Sequence, residues 1–552
     1  MYNPPLELFR ACVESVRAQT FQGWELILVD DCSTDPAIRE EINRFVATDS
    51  RIISCFREEN GGIIAATNNG FELANNEFIA LLDHDDDIVP DTLMYFAQAI
   101  TECPDADYLY SDEVICAPDG QELWPLTKPA WSPERMRTQM YTCHMSVIRT
   151  KLAREVGGFR EGYEGAQDYD LILRITEKAR RIVHIPRILY HWNQAPASVT
   201  AGTGEKSWAY ESGIRAVQEH CARVGIDAVV EPTAISGVHH IARRITGAPL
   251  VSIIIPTGGS VGPAWGSERT FAVECIRSIV EKTTYANFEI VVVVDAETSP
   301  SAVEAMVAAG EGRVEVMPFS GEFNFSTKCN LGSIRAAGDY LLFLNDDTEV
   351  ITPTWIEELL GPLQDQDAAM TGAKLLFPDR TIQHAGQCFH EGPMHIHYRS
   401  PDTEFGHCSA LHATRECSGV TAACALVKRE IFEQVGGFAE ALPSNYNDVD
   451  LCMKIRFLGH RIVWTPHAVL WHFESASRDP KLTDHEKNFI RTRWGWLIDS
   501  DPYYTSAIAD RWAMLGMKDP DVHDKWRESD LHEVRCLRDA IIETQTRSEA
   551  TL

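Results

Sequence analysis

Phe78-Ile79-Ala80-Leu81-Leu82-Asp83-His84-Asp85-Asp86 runs five apolar residues into a cluster of acids, and Tyr340-Leu341-Leu342-Phe343-Leu344-Asn345-Asp346-Asp347 repeats the arrangement. A short apolar run reads as a buried strand, and the acids after it as the loop beyond the strand's carboxyl end. The two stretches belong to one long repeat. Trp24-Glu25-Leu26-Ile27-Leu28-Val29-Asp30-Asp31 returns as Phe288-Glu289-Ile290-Val291-Val292-Val293-Val294-Asp295, and Asn68-Asn69-Gly70 as Asn330-Leu331-Gly332. Val156-Gly157-Gly158-Phe159 returns as Val435-Gly436-Gly437-Phe438, and Gln167-Asp168-Tyr169-Asp170 as Asn447-Asp448-Val449-Asp450. Leu189-Tyr190-His191-Trp192 returns as Leu470-Trp471-His472-Phe473. The offset grows from 262 (Asn68 to Asn330) to 281 (His191 to His472), and the order never changes.

Strand-like runs alternate with helical stretches, which predicts an α/β fold: two tandem domains, each a mostly parallel sheet flanked by helices. The first copy covers 1–205, a helical linker 206–248, the second copy 249–505, and a polar helical tail 506–552. The second copy opens with the strand Val251–Thr257. The first begins at Tyr2-Asn3, after that strand should have ended, so its first strand is expected to be missing.

Composition limits the function. Among 552 residues 44% are hydrophobic, enough for real cores, and no apolar run approaches the roughly 20 residues of a membrane span. A net charge of −31, with only short basic clusters such as Arg180-Arg181 and Arg243-Arg244, disfavours nucleic acid. The 15 cysteines form no C-x-x-C pair and no signal peptide is read at Met1–Pro5, so a reducing cytoplasm is expected, with peripheral association at the membrane's cytoplasmic face left open.

In open α/β sheets ligands bind beyond the carboxyl ends of the strands, where these acids fall. Carboxylates bunched there repel one another unless a cation sits between them, and a hard divalent ion can bridge them to a diphosphate. The plainer reading is a solvated turn capping the next helix. Gln167-Asp168-Tyr169-Asp170 and Asn447-Asp448-Val449-Asp450 each open a helical run. One Asp of each pair can cap while the other serves as a general base, and spacing does not say which. His191 and His472 recur beside aromatics and are read as metal or phosphate contacts. His384, His390, His395, His397, His407 and His412 are too irregular for zinc and read as a loop over an acceptor cleft.

With these residues in view, the chain resembles family-2 glycosyltransferases of the GT-A fold, as in bacterial O-antigen and capsule synthesis, over nearly everything up to about residue 505. The resemblance implies two Rossmann-like nucleotide-sugar-binding domains. It implies nucleotide contacts from Asp30 or Asp31, Asn68, Thr257, Asp295 and Asn330. It further implies sugar-diphosphate contacts at Asp83 and Asp346, metal ligands Asp85, His191, Asp347 and His472, and catalytic bases Asp168 and Asp448. Asn345 departs from the family's first motif Asp, and Gln167 and Asn447 replace its usual Glu. The implied reaction is inverting, with Mn²⁺ or Mg²⁺, a UDP-, dTDP- or GDP-linked donor, and a glycan, lipid-linked or protein acceptor. Three readings follow: a bifunctional enzyme, one active domain beside an inactive acceptor-gripping one, or a non-catalytic carbohydrate-binding or assembly protein.

Overall fold

The computed structural model describes residues 1–194, 207–389, 392–473, 482–498 and 501–504. All belong to one compact unit, Met1–Ser506. The tail expected at 506–552 and His390 lie outside the described residues.

The second copy is built on Val251–Thr257, whose seven residues are all buried, so it runs through the middle of a sheet. Phe288–Asp295 and Tyr340–Leu344 flank it in parallel, and Val314–Phe319 closes that edge. On the other side come Cys424–Lys428, Ala368–Leu376, Arg461–His472 and Thr348–Val350. Cys424–Lys428 and Thr348–Val350 run antiparallel to their neighbours. The strands in this order are therefore mostly parallel, with these two reversed among them. Alternate residues face two cores. Ile253 and Ile255 meet the helices Phe271–Lys282 and Trp355–Leu363, and Ile254 meets Phe325–Arg335 and Asn447–Phe457 on the opposite face.

The first copy repeats this order with one position empty. Ile52–Phe56 pairs with Leu26–Asp30, and a separate sheet runs Phe78–Ala80, Ser146–Arg149, Tyr108–Cys116, Ile182–Asn193 and Asp87–Ile88. Among the described residues no strand joins Leu26–Asp30 to Phe78–Ala80, where the second copy has Val251–Thr257. Phe78–Ala80 is consequently half-exposed, while its counterpart Tyr340–Leu344 is almost wholly buried. Met1 reaches only the far end of the empty position: its ammonium donates to Val29 O and its carbonyl accepts Asp31 N–H, both at 2.8 Å.

The expected linker is structural. Its helix Ser207–Arg223 sets Ala216, Val217 and Cys221 against Leu171 and Ile175 of the helix Gln167–Thr176. Asp484–Ile498 covers Asn447–Phe457 in the same way, through Ile490, Trp494 and Ile498. The hairpin Ala228–Pro232/His239–Arg243 then carries the chain into a seam between the copies. There Arg243 binds Glu134 at 2.6 Å and Asp365 at 2.7 Å, and Arg461 binds Glu416 at 2.5 Å and Asp365 at 3.1 Å. Glu416 also accepts the hydroxyl of Ser132. Glu134, Arg243 and Glu416 are buried. Every described cysteine is free and most are buried.

Candidate active site

Each copy's acidic loop leaves a strand end and is held from beneath by one helix. In the first copy the helix Leu6–Arg17 brings Cys12 Sγ to Asp83 O (3.4 Å) and the Ser15 hydroxyl to Ile88 N–H (3.3 Å), and Gln19 just beyond it donates to Val89 O at 2.7 Å. In the second, Cys275 reaches Asn345 O (3.7 Å), Ser278 accepts Val350 N–H (3.2 Å) and Lys282 donates to Val350 O (2.7 Å). The two loops thus share one three-point mounting that the sequence comparison missed.

In the second copy, Thr348–Val350 pairs antiparallel with the end of Arg461–His472, which brings His472 Nε2 to 3.2 Å from Asp347 Oδ1 and from Asn345 Nδ2. Asp346 turns inward and accepts the Thr257 hydroxyl at 2.5 Å. Burial, and then the neighbouring Asp347 charge, push Asp346 up to about 7. Asp295, at the end of its strand, meets the wholly buried ammonium of Lys328 at 2.5 Å, and Lys328 also donates to Thr257 O at 3.0 Å. Asn345 N–H bonds to Ala423 O, and the adjacent Ala422 N–H points to Asp448 Oδ2 at 3.4 Å, alongside Gln387 Nε2 at 3.3 Å. Asp448 thus stands beside the acidic loop.

Within each Asp pair the partners differ. Asp450 is fully buried, bound to Lys454 at 3.0 Å and Trp494 Nε1 at 2.8 Å. Asp170 is fully buried between Arg160 and Arg174. Both are anchors. Asp168 has solvent-reachable area yet is densely ringed by protein. That desolvation, and then Asp83, raise its carboxyl to about 6.

The first copy gathers a different set from the one expected. Asp83, Asp86 and His144 offer donor atoms that all lie within 4.8 Å of one another, the one such group found among the described residues. Asp86 is buried, held by Tyr190 Oη at 2.6 Å and Asn193 N–H at 2.8 Å. His144 Nδ1 contacts the buried Glu113 at 2.8 Å. Burial opposes a charge on His144, but Glu113 outweighs it and holds the imidazole up at about 9. Asp85 and His191, the expected ligands, are not in the group. His191 is drawn to Asp87, its partner across the strands, at 2.7 Å.

Two expected nucleotide contacts serve the scaffold. The Asn68 amide accepts Phe159 N–H and donates to Phe159 O, both at 2.9 Å; Asn330 does the same with Phe438 at 2.9 and 3.0 Å. A Cβ on Gly158 would lie 2.5 Å from Asn68 Oδ1, and one on Gly437 2.6 Å from Asn330 Oδ1. The repeated Asn and the repeated Gly-Gly-Phe are therefore two halves of one clasp. Asp31 is spent as well: it accepts Gly61 and Gly62 N–H at 3.0 and 2.8 Å and binds Arg57 at 2.8 Å, while Asp30 accepts Ser33 N–H. Of the histidines read as a loop, His384 pairs with His395 at 2.9 Å, His412 meets Glu404 O, His397 is partly buried, and His407 crosses the seam to Thr127 O at 2.7 Å.

The sequence profile of Glycosyl transferase family 2 matches residues 1–157, and that of Glycosyltransferase like family 2 matches 261–495. Uncharacterized protein y4gI of Sinorhizobium fredii (strain NBRC 101917 / NGR234) is 38% identical over 526 residues, 92% of this chain and 57% of that protein. O-antigen biosynthesis protein RfbC of Myxococcus xanthus is 34% identical over 507 residues, 90% of this chain and 39% of RfbC. Putative colanic acid biosynthesis glycosyl transferase WcaA of Escherichia coli (strain K12) is 28% identical over 189 residues, 31% of this chain and 66% of WcaA. The chain thus spans about half, or less, of the length of the first two relatives.

Proposed function

The chain belongs to glycosyltransferase family 2 and carries two of its domains in tandem, and from that premise we propose that the second copy moves a sugar, with inversion, from a nucleotide-sugar donor to a hydroxyl of a bacterial surface glycan. The observation that carries this reading is the contact of Asp347 with His472, with Asp448 bonded to the segment Ala422-Ala423 that holds the same acidic loop. Asp448 accepts the proton of the acceptor hydroxyl, and the freed oxygen attacks the anomeric carbon from the face opposite the phosphate. The anomeric C–O bond breaks, and its electron pair leaves with the nucleoside diphosphate. Asp347 and His472 would hold Mn²⁺ or Mg²⁺: a carboxylate whose charge already raises the proton affinity of its neighbour Asp346, beside an imidazole nitrogen, suits such an ion. When bound, the ion neutralises charge growing on the leaving diphosphate. Asp295 and Lys328 present paired charges to the nucleoside end.

The names of the RfbC and WcaA relatives support a surface polysaccharide as acceptor; lipid-linked and protein acceptors are tested beside it. No described helix is long and apolar enough to cross a membrane. For the first copy, Asp83, Asp86 and His144 with Asp168 support a second transfer site. The engaged Asp31 favours a copy that grips acceptor instead. The test incubates the chain with Mn²⁺ and UDP-, dTDP- and GDP-sugars and measures nucleoside diphosphate release, with Asp347→Asn and Asp83→Asn alongside. Release abolished by Asp347→Asn supports the reading. Release insensitive to that substitution sinks it, and release lost only in Asp83→Asn transfers the activity to the first copy.

A further inference from the structure

The second copy leaves the strand Val251–Thr257 through a hairpin, Val261–Ala264 and Ser267–Thr270, with Ala264 opposite Ser267. A two-residue loop in this register needs positive φ at both residues, which Asn, Asp or Gly supply at least cost. Gly266 fits, at φ +79°. The other residue is Trp265, at φ +51° and 46% exposed. A bulky side chain in the left-handed region is uncommon, and nothing in the turn calls for an indole there.

The surroundings say where this ring stands. At the hairpin's base, a Cβ on Gly258 would lie 3.1 Å from Asp295 Oδ2, so the chain leaves beside the nucleoside end of the site. At its tip, Trp265 Nε1 donates to the Glu349 carboxylate at 3.0–3.1 Å, and the ring meets Trp471 and Phe473 edge-on at 5.5 and 5.4 Å. Glu349 lies two residues beyond Asp347, and Trp471 and Phe473 flank His472. The hairpin therefore reaches from Asp295 to the two strands that carry Asp347 and His472 at their ends, and the indole is fixed on those strands.

We propose that Trp265 is a stacking platform for a sugar ring at the second copy's site. The inference rests on the nucleotide-sugar reading of that copy. Asp347 and His472 would hold a cation that takes the diphosphate, and the sugar is joined directly to that diphosphate, so a ring fixed on the strands that carry the pair meets sugar before it meets base. A pyranose offers an apolar C–H face that an indole covers while its N–H stays satisfied by Glu349. A rigid aromatic also loses little conformational freedom on binding. The ring can belong to the donor sugar or to the acceptor residue that receives it, and both present the same face.

The whole chain, with Mn²⁺, is titrated calorimetrically with the UDP-, dTDP- and GDP-sugars and with the matching nucleoside diphosphates, beside Trp265→Asn and Trp265→Phe. Asn suits the left-handed turn, so thermal unfolding should be no earlier than in the native chain. For a donor platform, Trp265→Asn weakens nucleotide-sugar binding about ten-fold and leaves the nucleoside diphosphate unchanged, and Trp265→Phe restores most of the loss. For an acceptor platform, donor binding and donor hydrolysis hold while the KM for added glycan rises about ten-fold. Equal loss of nucleotide sugar and nucleoside diphosphate overturns the proposal in favour of base stacking, and unchanged binding and transfer overturn it outright. A native chain that binds no nucleotide sugar overturns the functional reading, and the platform with it.

Discussion

The two copies share strand order, the clasp between Asn and Gly-Gly-Phe, and the three-point mounting of the acidic loop, yet each brings a different imidazole to that loop. In the second copy His472 meets Asp347, because Thr348 across the strands turns its hydroxyl to Asn345 O. In the first, Asp87 occupies the position facing His191 and captures it. His144 reaches Asp83 and Asp86 instead, from a segment where the second copy's Thr421-Ala422-Ala423 puts alanine in its place. Duplication has kept what holds the backbone and let the ligand-facing residues drift.

Four measurements break or sharpen this contrast. Asp448→Asn should lower nucleoside diphosphate release about 10²–10⁴-fold, the usual cost of removing a positioned base. If Asp168→Asn does so instead, the copies have been ranked in the wrong order. Glu416→Ala removes the buried carboxylate that Ser132 of the first copy and Arg461 of the second share, while Arg461 keeps Asp365 and Asp367, and should cost about 1–3 kcal/mol, read by calorimetric unfolding. A loss below about 1 kcal/mol would mean that the copies are not joined through this residue. His472→Ala should weaken Mn²⁺ binding at the second copy about 10–100-fold, whereas His191→Ala should leave Mn²⁺ binding unchanged and His144→Ala should weaken it at the first copy. An effect of His191→Ala would restore the symmetric ligand set. The smallest effect is on pH. A base must be ionised, and Asp168 is raised to about 6, so any first-copy transfer should halve near pH 6 and fall further with acid. A first-copy rate flat between pH 5 and 7 would remove Asp168 as its base.

The sequence already displayed the α/β repeat, because apolar strand runs ending in acids recur in fixed order. It did not say what an amide or a carboxylate would face. Asn68 meets Phe159 and Asn330 meets Phe438 across 91 and 108 residues, so their use as clasps is set by tertiary structure. Asp168 and Asp170 look alike in sequence, and Arg160 and Arg174 decide which is consumed. His144 has no counterpart in the second copy, where Ala423 stands, so the repeat carries no sign of it. Lys328 could have been found as the one cation within the otherwise uncharged stretch Phe325–Ile334.

The seam has a consequence for anyone handling the protein. Its Glu134, Arg243 and Glu416 side chains are shut away from water, so added salt, which screens exposed charges over about 10 Å at 0.1 M, has little access to them. Ionic strength should leave the copies together. Cutting the chain between them, by protease or by cloning each half alone, would instead strand Arg243 or Arg461 without carboxylates that now lie across the cut. Isolated halves are then poor proxies for their activity in the joined chain, and an inactive fragment would speak to the broken weld rather than to the chemistry of its site.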